Sequence, residues 1–441
     1  MAGNIVYPMI VFLLLLTIFQ FSVGCTKLPT LPVHGDIPIG TNIRSINDFD
    51  ELAKSHLIKN ILFVAHDSTA VELCPQSISE VNLINKKGEW SITSESLPRS
   101  INLKKLIFVA LESNFEENRL AVFEGTERQN HLTAYQRIKM DFELEGISEK
   151  DGYSIRKYSP NSLRPILNLH LETKHDSLLV IFKSGKEKVY HKDDLYNHIS
   201  FRNTHWSICS EILTIIWKAY PKESIYDIYP QIKNHDLLSS PPVLAILIDG
   251  LGFQMLEHSK TQNMGIYFEK LDIKPMRVTY PPRTMYALFT IGNGFHLGQS
   301  QQQKDEIFSN LDFETGYLIQ GDRSIYDSKY PTILHADKNN DGFIDGEIFE
   351  TSKEYLKMDF DFMFVHFKSI DYTSHRFGPY SEATMRQIRI VSDYVENMIE
   401  GWKGTLYIFS DHGQHSADMQ GHHGINKIED MVGIIYSEER I

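Results

Sequence analysis

Beyond residue 240 the chain is organised by continuous apolar runs, each leading into an acid. Residues 243–248 (VLAILI) run into Asp249, residues 362–367 (FMFVHF) into Ser369-Ile370-Asp371, and residues 405–409 (TLYIF) into Ser410-Asp411. A strand with one wet face alternates apolar and polar positions. These runs do not alternate, so they read as strands covered on both faces, in a parallel sheet between helical layers. Open α/β sheets bind ligands outside the carboxyl ends of their strands. Asp249, Asp371 and Asp411 are therefore expected to converge on one sheet edge. Helices are predicted to start near Phe253, after the turn Gly250-Leu251-Gly252, and at Thr284, after Pro281-Pro282.

Between residues 41 and 235 short strand-like runs alternate with polar loops, at Asn60–Ala65, 106–111, Leu120–Glu124 and 178–182. The last continues through Ser184-Gly185-Lys186 into Lys188-Val189-Tyr190 and predicts a hairpin. Residues 206–220 carry Ile208, Ile212, Leu213, Ile216 and Trp217 at helical spacing and predict a helix. The expected fold class is α/β. A doubly wound, mostly parallel sheet occupies residues 236–441, preceded by an α+β accessory domain over residues 41–235 whose role stays open.

The N-terminus changes the picture by adding an address. Residues 10–19 are apolar apart from Thr17, short for a bilayer span and of the length of a signal-peptide core. Ser22-Val23-Gly24 then precede Cys25. Gly-Cys after an apolar core resembles the bacterial lipobox, in which the Cys is lipidated; an uncleaved apolar anchor is the other reading. Either way the body is exported, to be secreted or anchored to the outer face of a membrane. The expected organisation is a signal peptide over residues 1–24 and a tether over 25–40, dotted with Pro29, Pro32 and Pro38. Composition is globular: 441 residues, 42% hydrophobic and 23% charged, enough for two cores. A formal net charge of -13 argues against specific nucleic-acid binding, which needs a basic face. Apart from Cys25 only Cys74 and Cys209 remain; they either pair in an oxidising compartment or stay as buried thiols.

The acids at the strand ends have company. Asp371 is followed four residues on by His375, Asp411 directly by His412, and His422-His423-Gly424 comes soon after. Taken singly, an Asp before a Gly turn is usually a turn or cap residue, and an isolated His is usually structural. Gathered at the strand ends of one domain, carboxylates and imidazoles point to a metal centre. Thr284 opens a predicted helix. A hydroxyl there is ordinarily an N-cap, but the same place attracts phosphate oxygens through backbone N–H groups and the helix dipole. A metal beside it would lower the hydroxyl pKa and make a nucleophile.

The order Asp249, Thr284, Asp371-x-x-x-His375, Asp411-His412, His423-Gly424, with Arg376-Phe377-Gly378-Pro379 after the second motif, resembles the alkaline phosphatase superfamily. The similarity is to its nucleotide pyrophosphatase/phosphodiesterase-like branch and covers residues 241–441. It implies a hydrolase of small phosphorylated substrates with two zinc (or similar divalent) ions. Asp371, His375 and His423 would hold one; Asp249, Asp411 and His412 would hold the other, with Thr284 as a further weak ligand. Thr284 would also be the nucleophile, forming a phosphothreonine that water then hydrolyses. His423 is preferred to His422 because the family's ligand directly precedes Gly. The branch carries an Asn downstream of the nucleophile, where residues 299–305 offer glutamines, so monoester, diester and phosphonate substrates stay open. A sulfatase is excluded, since Thr284 cannot yield formylglycine.

Residues 337–345 (DKNNDGFID) reproduce the first nine positions of a calcium loop, with Gly at the sixth. Asp337, Asn339, Asp341, Phe343 and Asp345 would be its ligand positions, whereas the twelfth position is Ile348. An acidic surface turn is the plainer reading. The alternative function is a surface-anchored, calcium-dependent binding protein with a degenerate hydrolase core; six intact ligand positions argue against it.

Overall fold

A computed structural model of the chain describes residues 306–441 without a break. It describes residues 175–299 apart from 199, 203–204, 210, 237–240, 263 and 265, and residues 30–160 in pieces. The apolar N-terminal segment, Cys25, Cys74 and residues 300–305 lie outside the described residues. Two compact units emerge, one drawn from residues 1–119 and 133–166, the other from 120–132 and 167–441.

In the first unit the described elements are mainly strands. Asn60–Ala65 pairs antiparallel with Ala70–Leu73 and with Lys104–Glu112. Leu31–Gly35, inside the stretch expected to be a tether, joins this sheet parallel to Lys104–Glu112. The reason is apolar alternation: Leu31 and Val33 enter one core with Phe63, Val71, Trp90 and Val109.

The second unit contains two larger sheets. In one, Ser177–Phe182 turns into Glu187–His191 as the expected hairpin and pairs antiparallel with Glu211–Lys218. That strand runs parallel to Leu120–Glu124. Residues 206–220 are thus not a helix but two antiparallel strands, His205–Ile208 and Glu211–Lys218, with Cys209 exposed at the turn between them. Every residue from Leu213 to Lys218 is buried, so the apolar run carries no period to read. Ile212, Thr214, Ile215 and Ile216 are β-branched, stiff at χ1 and better suited to a pleated strand.

The other sheet is the expected one. Its order is Glu223–Ser224, Lys274–Arg277, Val432–Arg440, Gly404–Phe409, Val243–Ile248, Phe362–Phe367, Gly316–Ile319, Thr332–Ile333. Neighbours are parallel except around Val432–Arg440, which is antiparallel to both flanking strands. Alternate residues of Val243–Ile248 enter two cores. Val243, Ala245 and Leu247 pack with Ala287, Phe289 and Ile291 of helix Thr284–Asn293. Leu244, Ile246 and Ile248 pack with Met255 of helix Phe253–Thr261 and with Ile388 and Val391 of helix Glu382–Ile399. Both faces are dry, which is why all six positions are apolar.

Register then places the acids. Leu247 lies opposite Phe409 on one side and His366 on the other. Two residues on, Asp249 and Asp411 leave the sheet side by side. The chain must turn at once, and Gly250 does so at φ 73°. A Cβ there would stand 2.8 Å from the Asp371 Cβ, so only glycine lets the two segments approach. No helix among the described residues is long and apolar enough to cross a membrane.

Candidate active site

Thr284 is the first residue of helix Thr284–Asn293, which begins as Arg283 leaves extended backbone at φ -142°, ψ 142°. Arg283 offers no side-chain cap; the Tyr286 N–H turns back to the Arg283 carbonyl at 3.0 Å, while the two N–H groups before it, like those that open any α-helix, have no carbonyl one turn back to bind. The Thr284 hydroxyl lies 3.4 Å from Asp249 Oδ1 and 3.2 Å from His412 Nε2.

The imidazole tautomers follow from their backbone partners. His412 Nδ1 is 3.1 Å from the Gly413 carbonyl, His375 Nδ1 2.7 Å from that of Gly421, and His423 Nδ1 3.0 Å from that of Pro282. A carbonyl only accepts, so each ring donates from Nδ1 and keeps a lone pair on Nε2. These lone pairs face one another. Nε2 atoms of His375 and His423 are 3.1 Å apart, with Asp371 Oδ1 at 3.5 and 3.8 Å. His412 Nε2 is 3.2 Å from Asp411 Oδ2 and 3.7 Å from Asp249 Oδ1. Asp371, His375 and His423 bring ligand atoms within 4.8 Å of one another, and so do Asp249, Asp371 and His412. Asp371 thus belongs to both groups. Asp411 spends Oδ1 on the N–H groups of Gly250 and His412, while its buried Oδ2 has no donor. Lone pairs and carboxylates aimed at each other repel unless a cation lies between them. Neutral imidazoles oriented by carbonyls, together with carboxylates, are the donor set of zinc. The residues present fit two divalent ions.

The carboxylates' own titration says the same. Burial, then the charges of Asp249 and Asp411, push Asp371 well above the usual carboxylate range. Burial and the Asp249 charge lift Asp411 to about 7. Asp249 is held below its ordinary value: burial would raise it, but the hydrogen bond and charge of His366 outweigh that. Burial pushes His412 and His423 down, toward the neutral form a metal ligand needs.

The site opens into a cavity of about 790 Å³ whose walls include Thr284, Asp249, Asp371 and His423. Arg283, Arg323 and Lys368 line it too. Three cations around an acid-rich floor suit an anionic ligand that bridges the two.

Some supporting residues were not read from the sequence. His366 Nε2 is 2.9 Å from Asp249 Oδ2. Gln414 donates to Asp371 Oδ1 at 2.6 Å and accepts from Ser374 Oγ at 2.5 Å. A signal existed for His366: it is the single polar residue in the run 362–367, and a buried polar group needs a partner.

Of the residues 337–345, Asp337, Asn339 and Asp341 share a turn. Asp337 Oδ2 accepts from the Gly342 N–H, Asn339 Oδ1 from the Asp341 N–H, and Asn339 Nδ2 donates to Asp341 Oδ2. Phe343 lines the active-site cavity, its ring edge-on to Tyr372. Asp345 is elsewhere. Its buried carboxylate accepts from the N–H groups of Lys368 and Ser369, at 2.9 and 3.0 Å, and from the Ser369 hydroxyl. Glu347 instead reaches into the loop, accepting from the Lys338 N–H at 2.8 Å. His422 is exposed, while His423 stands in the ligand group.

An α/β sheet with carboxylates and imidazoles gathered at its strand ends is the class this geometry defines. Residues 308–439 match the family model of the type I phosphodiesterases / nucleotide pyrophosphatases, and over that segment the resemblance read from the motifs holds. The segment carries Asp371, His375, Asp411, His412 and His423; Asp249 and Thr284 precede it. Similar solved structures include phosphonoacetate hydrolase from Sinorhizobium meliloti 1021, at 12% identity over 41% of this chain and 58% of that one, with a TM-score of 0.31. The C-terminal periplasmic domain of EcEptC from Escherichia coli is 14% identical over 46% of this chain and 73% of its own, with a TM-score of 0.33. Murine ectonucleotide pyrophosphatase / phosphodiesterase 5 is 16% identical over 40% and 58%, with a TM-score of 0.30. This chain thus spans 58% of the length of the hydrolase and of the murine protein. No curated protein matches it.

Proposed function

We propose that residues 236–441 form a two-metal phosphoester hydrolase in which Thr284 attacks phosphorus. The observation that carries this reading is the convergence of three Nε2 lone pairs and three carboxylates beside a hydroxyl with two acceptors, Asp249 Oδ1 and His412 Nε2. Two divalent ions, one with Asp371, His375 and His423 and one with Asp249, Asp411 and His412, would polarise the phosphoryl oxygens and lower the hydroxyl pKa. The chain's own groups supply the remainder. First-turn N–H groups of the Thr284 helix face phosphoryl oxygens. As Thr284 Oγ1 bonds to phosphorus, its proton passes to water in the cavity, because the Asp249 Oδ1 and His412 Nε2 lone pairs are committed to the metal, and the leaving oxygen departs with its bonding pair into the cavity that Arg283, Arg323 and Lys368 line. Water then displaces Oγ1 from the phosphothreonine, and Thr284 recovers its proton. The substrate is a small phosphorylated molecule, met outside the cytoplasm after export on residues 1–24, with Cys25 or the apolar segment as the attachment.

Thr284→Ala tests the reading. With zinc supplied, its turnover of aryl phosphomonoesters and phosphodiesters should fall by roughly a thousandfold or more, because no other group forms the covalent bond. Bound zinc should change little. Thr284→Ser should keep part of the activity. Near-parental turnover by the alanine variant would refute the mechanism at its defining residue.

A further inference from the structure

The strand Phe362–Phe367 is buried at all six positions, yet its fifth residue is a histidine. Burying an imidazole in an apolar strand costs free energy unless a partner meets it. The sheet supplies one through register. His366 lies directly opposite Leu247, and Asp249, two residues past Leu247, points to the same face. His366 and Asp249 are therefore diagonal cross-strand neighbours, the spacing at which long side chains touch. The contact is made: His366 Nε2 stands 2.9 Å from Asp249 Oδ2, with the imidazole 1% and the carboxylate side chain 5% exposed.

Two details give the contact a direction. Only one ring nitrogen is engaged, since Nδ1 is buried without a partner. A proton on Nδ1 would be an orphaned donor in the core, so the ring donates from Nε2 and leaves Nδ1 bare. On the other side of the carboxylate, Oδ1 faces His412 Nε2 at 3.7 Å and the Thr284 hydroxyl at 3.4 Å. One oxygen is held by the sheet and the other is presented to the chemistry.

We propose that His366 is a positioning residue: its Nε2–H fixes Asp249 so that Oδ1 alone is offered to the metal and to Thr284. The inference rests on the two-metal reading above. It does not follow from the ligand motifs, which do not include His366. Buried donors behind metal-bound carboxylates set ligand orientation, and their loss typically costs 10- to 100-fold in affinity or activity.

The experiment compares the parent with His366→Gln, His366→Asn and His366→Leu as purified, zinc-reconstituted full chains. The Gln amide reaches the place of Nε2, whereas the Asn amide stops near that of Nδ1. Zinc affinity for each of two equivalents is measured by chelator competition, with kcat and KM on an aryl phosphate. His366→Gln should keep both equivalents and near-parental kcat. His366→Leu and His366→Asn should weaken one equivalent by roughly 10- to 100-fold and lower kcat with little change in KM. Should the Leu variant not fold, the Gln/Asn pair carries the same comparison. Parental zinc binding and kcat in the Leu or Asn variant would overturn the proposal. So would equal losses in Gln and Asn, which would make the site a matter of packing. A parent that binds fewer than two zinc ions overturns the two-metal reading first, and this inference with it.

Discussion

A buried carboxylate needs something to meet its charge, and Asp430 shows what happens when the answer is incomplete. It is wholly buried, with His415 Nδ1 at 2.7 Å and the Ile425 N–H at 3.3 Å. Burial nonetheless lifts its carboxyl to about 6, the imidazole offsetting only part of the cost. An unfolded Asp titrates near ~3.9. Between those values the native state keeps a proton that the unfolded state has lost. By linkage, stability is greatest below the unfolded pKa and falls as pH rises through about 6, by at most roughly 3 kcal/mol. Asp430→Asn cannot titrate. Its melting temperature in chelator should therefore fall less than the parent's between pH 4 and 6.5. Identical slopes would mean that Asp430 ionises as an ordinary carboxylate.

At the scale of elements, helix Ser369–Phe377 matters most, because it carries Asp371 and His375. Its own N-cap residue, Lys368, makes no side-chain cap. Asp345, at the start of helix Asp345–Tyr355, supplies the cap from outside by accepting from the Lys368 and Ser369 N–H groups. Gln387 adds a 2.7 Å bond to the Ser369 hydroxyl. Asp345→Ala strands three donors, the part-buried Lys368 N–H and the buried N–H and hydroxyl of Ser369, and should cost about 1–3 kcal/mol in denaturant unfolding, with weaker zinc binding at Asp371, His375 and His423. Asp341→Ala, on the exposed turn, should leave zinc binding unchanged. Equal effects of the two variants would mean that Asp345 acts with the loop and not with the helix. The contrast marks what is readable in a sequence. Strands dry on both faces were legible because burial forces every position to be apolar. The same uniformity hid the strand within residues 206–220, since no period remains across Leu213–Lys218, where all six positions are buried. Asp345 fell inside a nine-residue calcium-like match, but its partner lies 23 residues on, across a helix and a strand. His366 stood out as polar in an apolar run, yet its partner is 117 residues away and only the sheet register names it.

Across the whole molecule, the ligand groups span residues 249 to 423: Asp249 and His412 follow strands of the large sheet, Asp371 and His375 lie on helix Ser369–Phe377, and His423 follows the short strand Gln420–His422, so ions bound there would tie these segments together. The unfolded chain cannot present them together. Binding is therefore folding free energy, worth about 2.7 kcal/mol per site when free zinc is a hundred times its dissociation constant. Purified protein should hold close to two equivalents of zinc or a similar ion, and chelation should abolish hydrolysis. It should also lower the melting temperature, by on the order of 10 °C if both sites empty. Among the described residues, the first unit contributes none to either ligand group. Hydrogen exchange should accordingly show zinc-dependent protection in residues 243–249, 284–293 and 366–377 and little change in 60–65 or 104–112. Protection spread evenly over both units would indicate general compaction instead. The decisive outcome is activity: a protein stripped of metal that still hydrolyses its substrate at the full rate cannot be using the arrangement of Asp249, Asp371, Asp411 and the three imidazoles described above. Its lone pairs would then need some other explanation than ions.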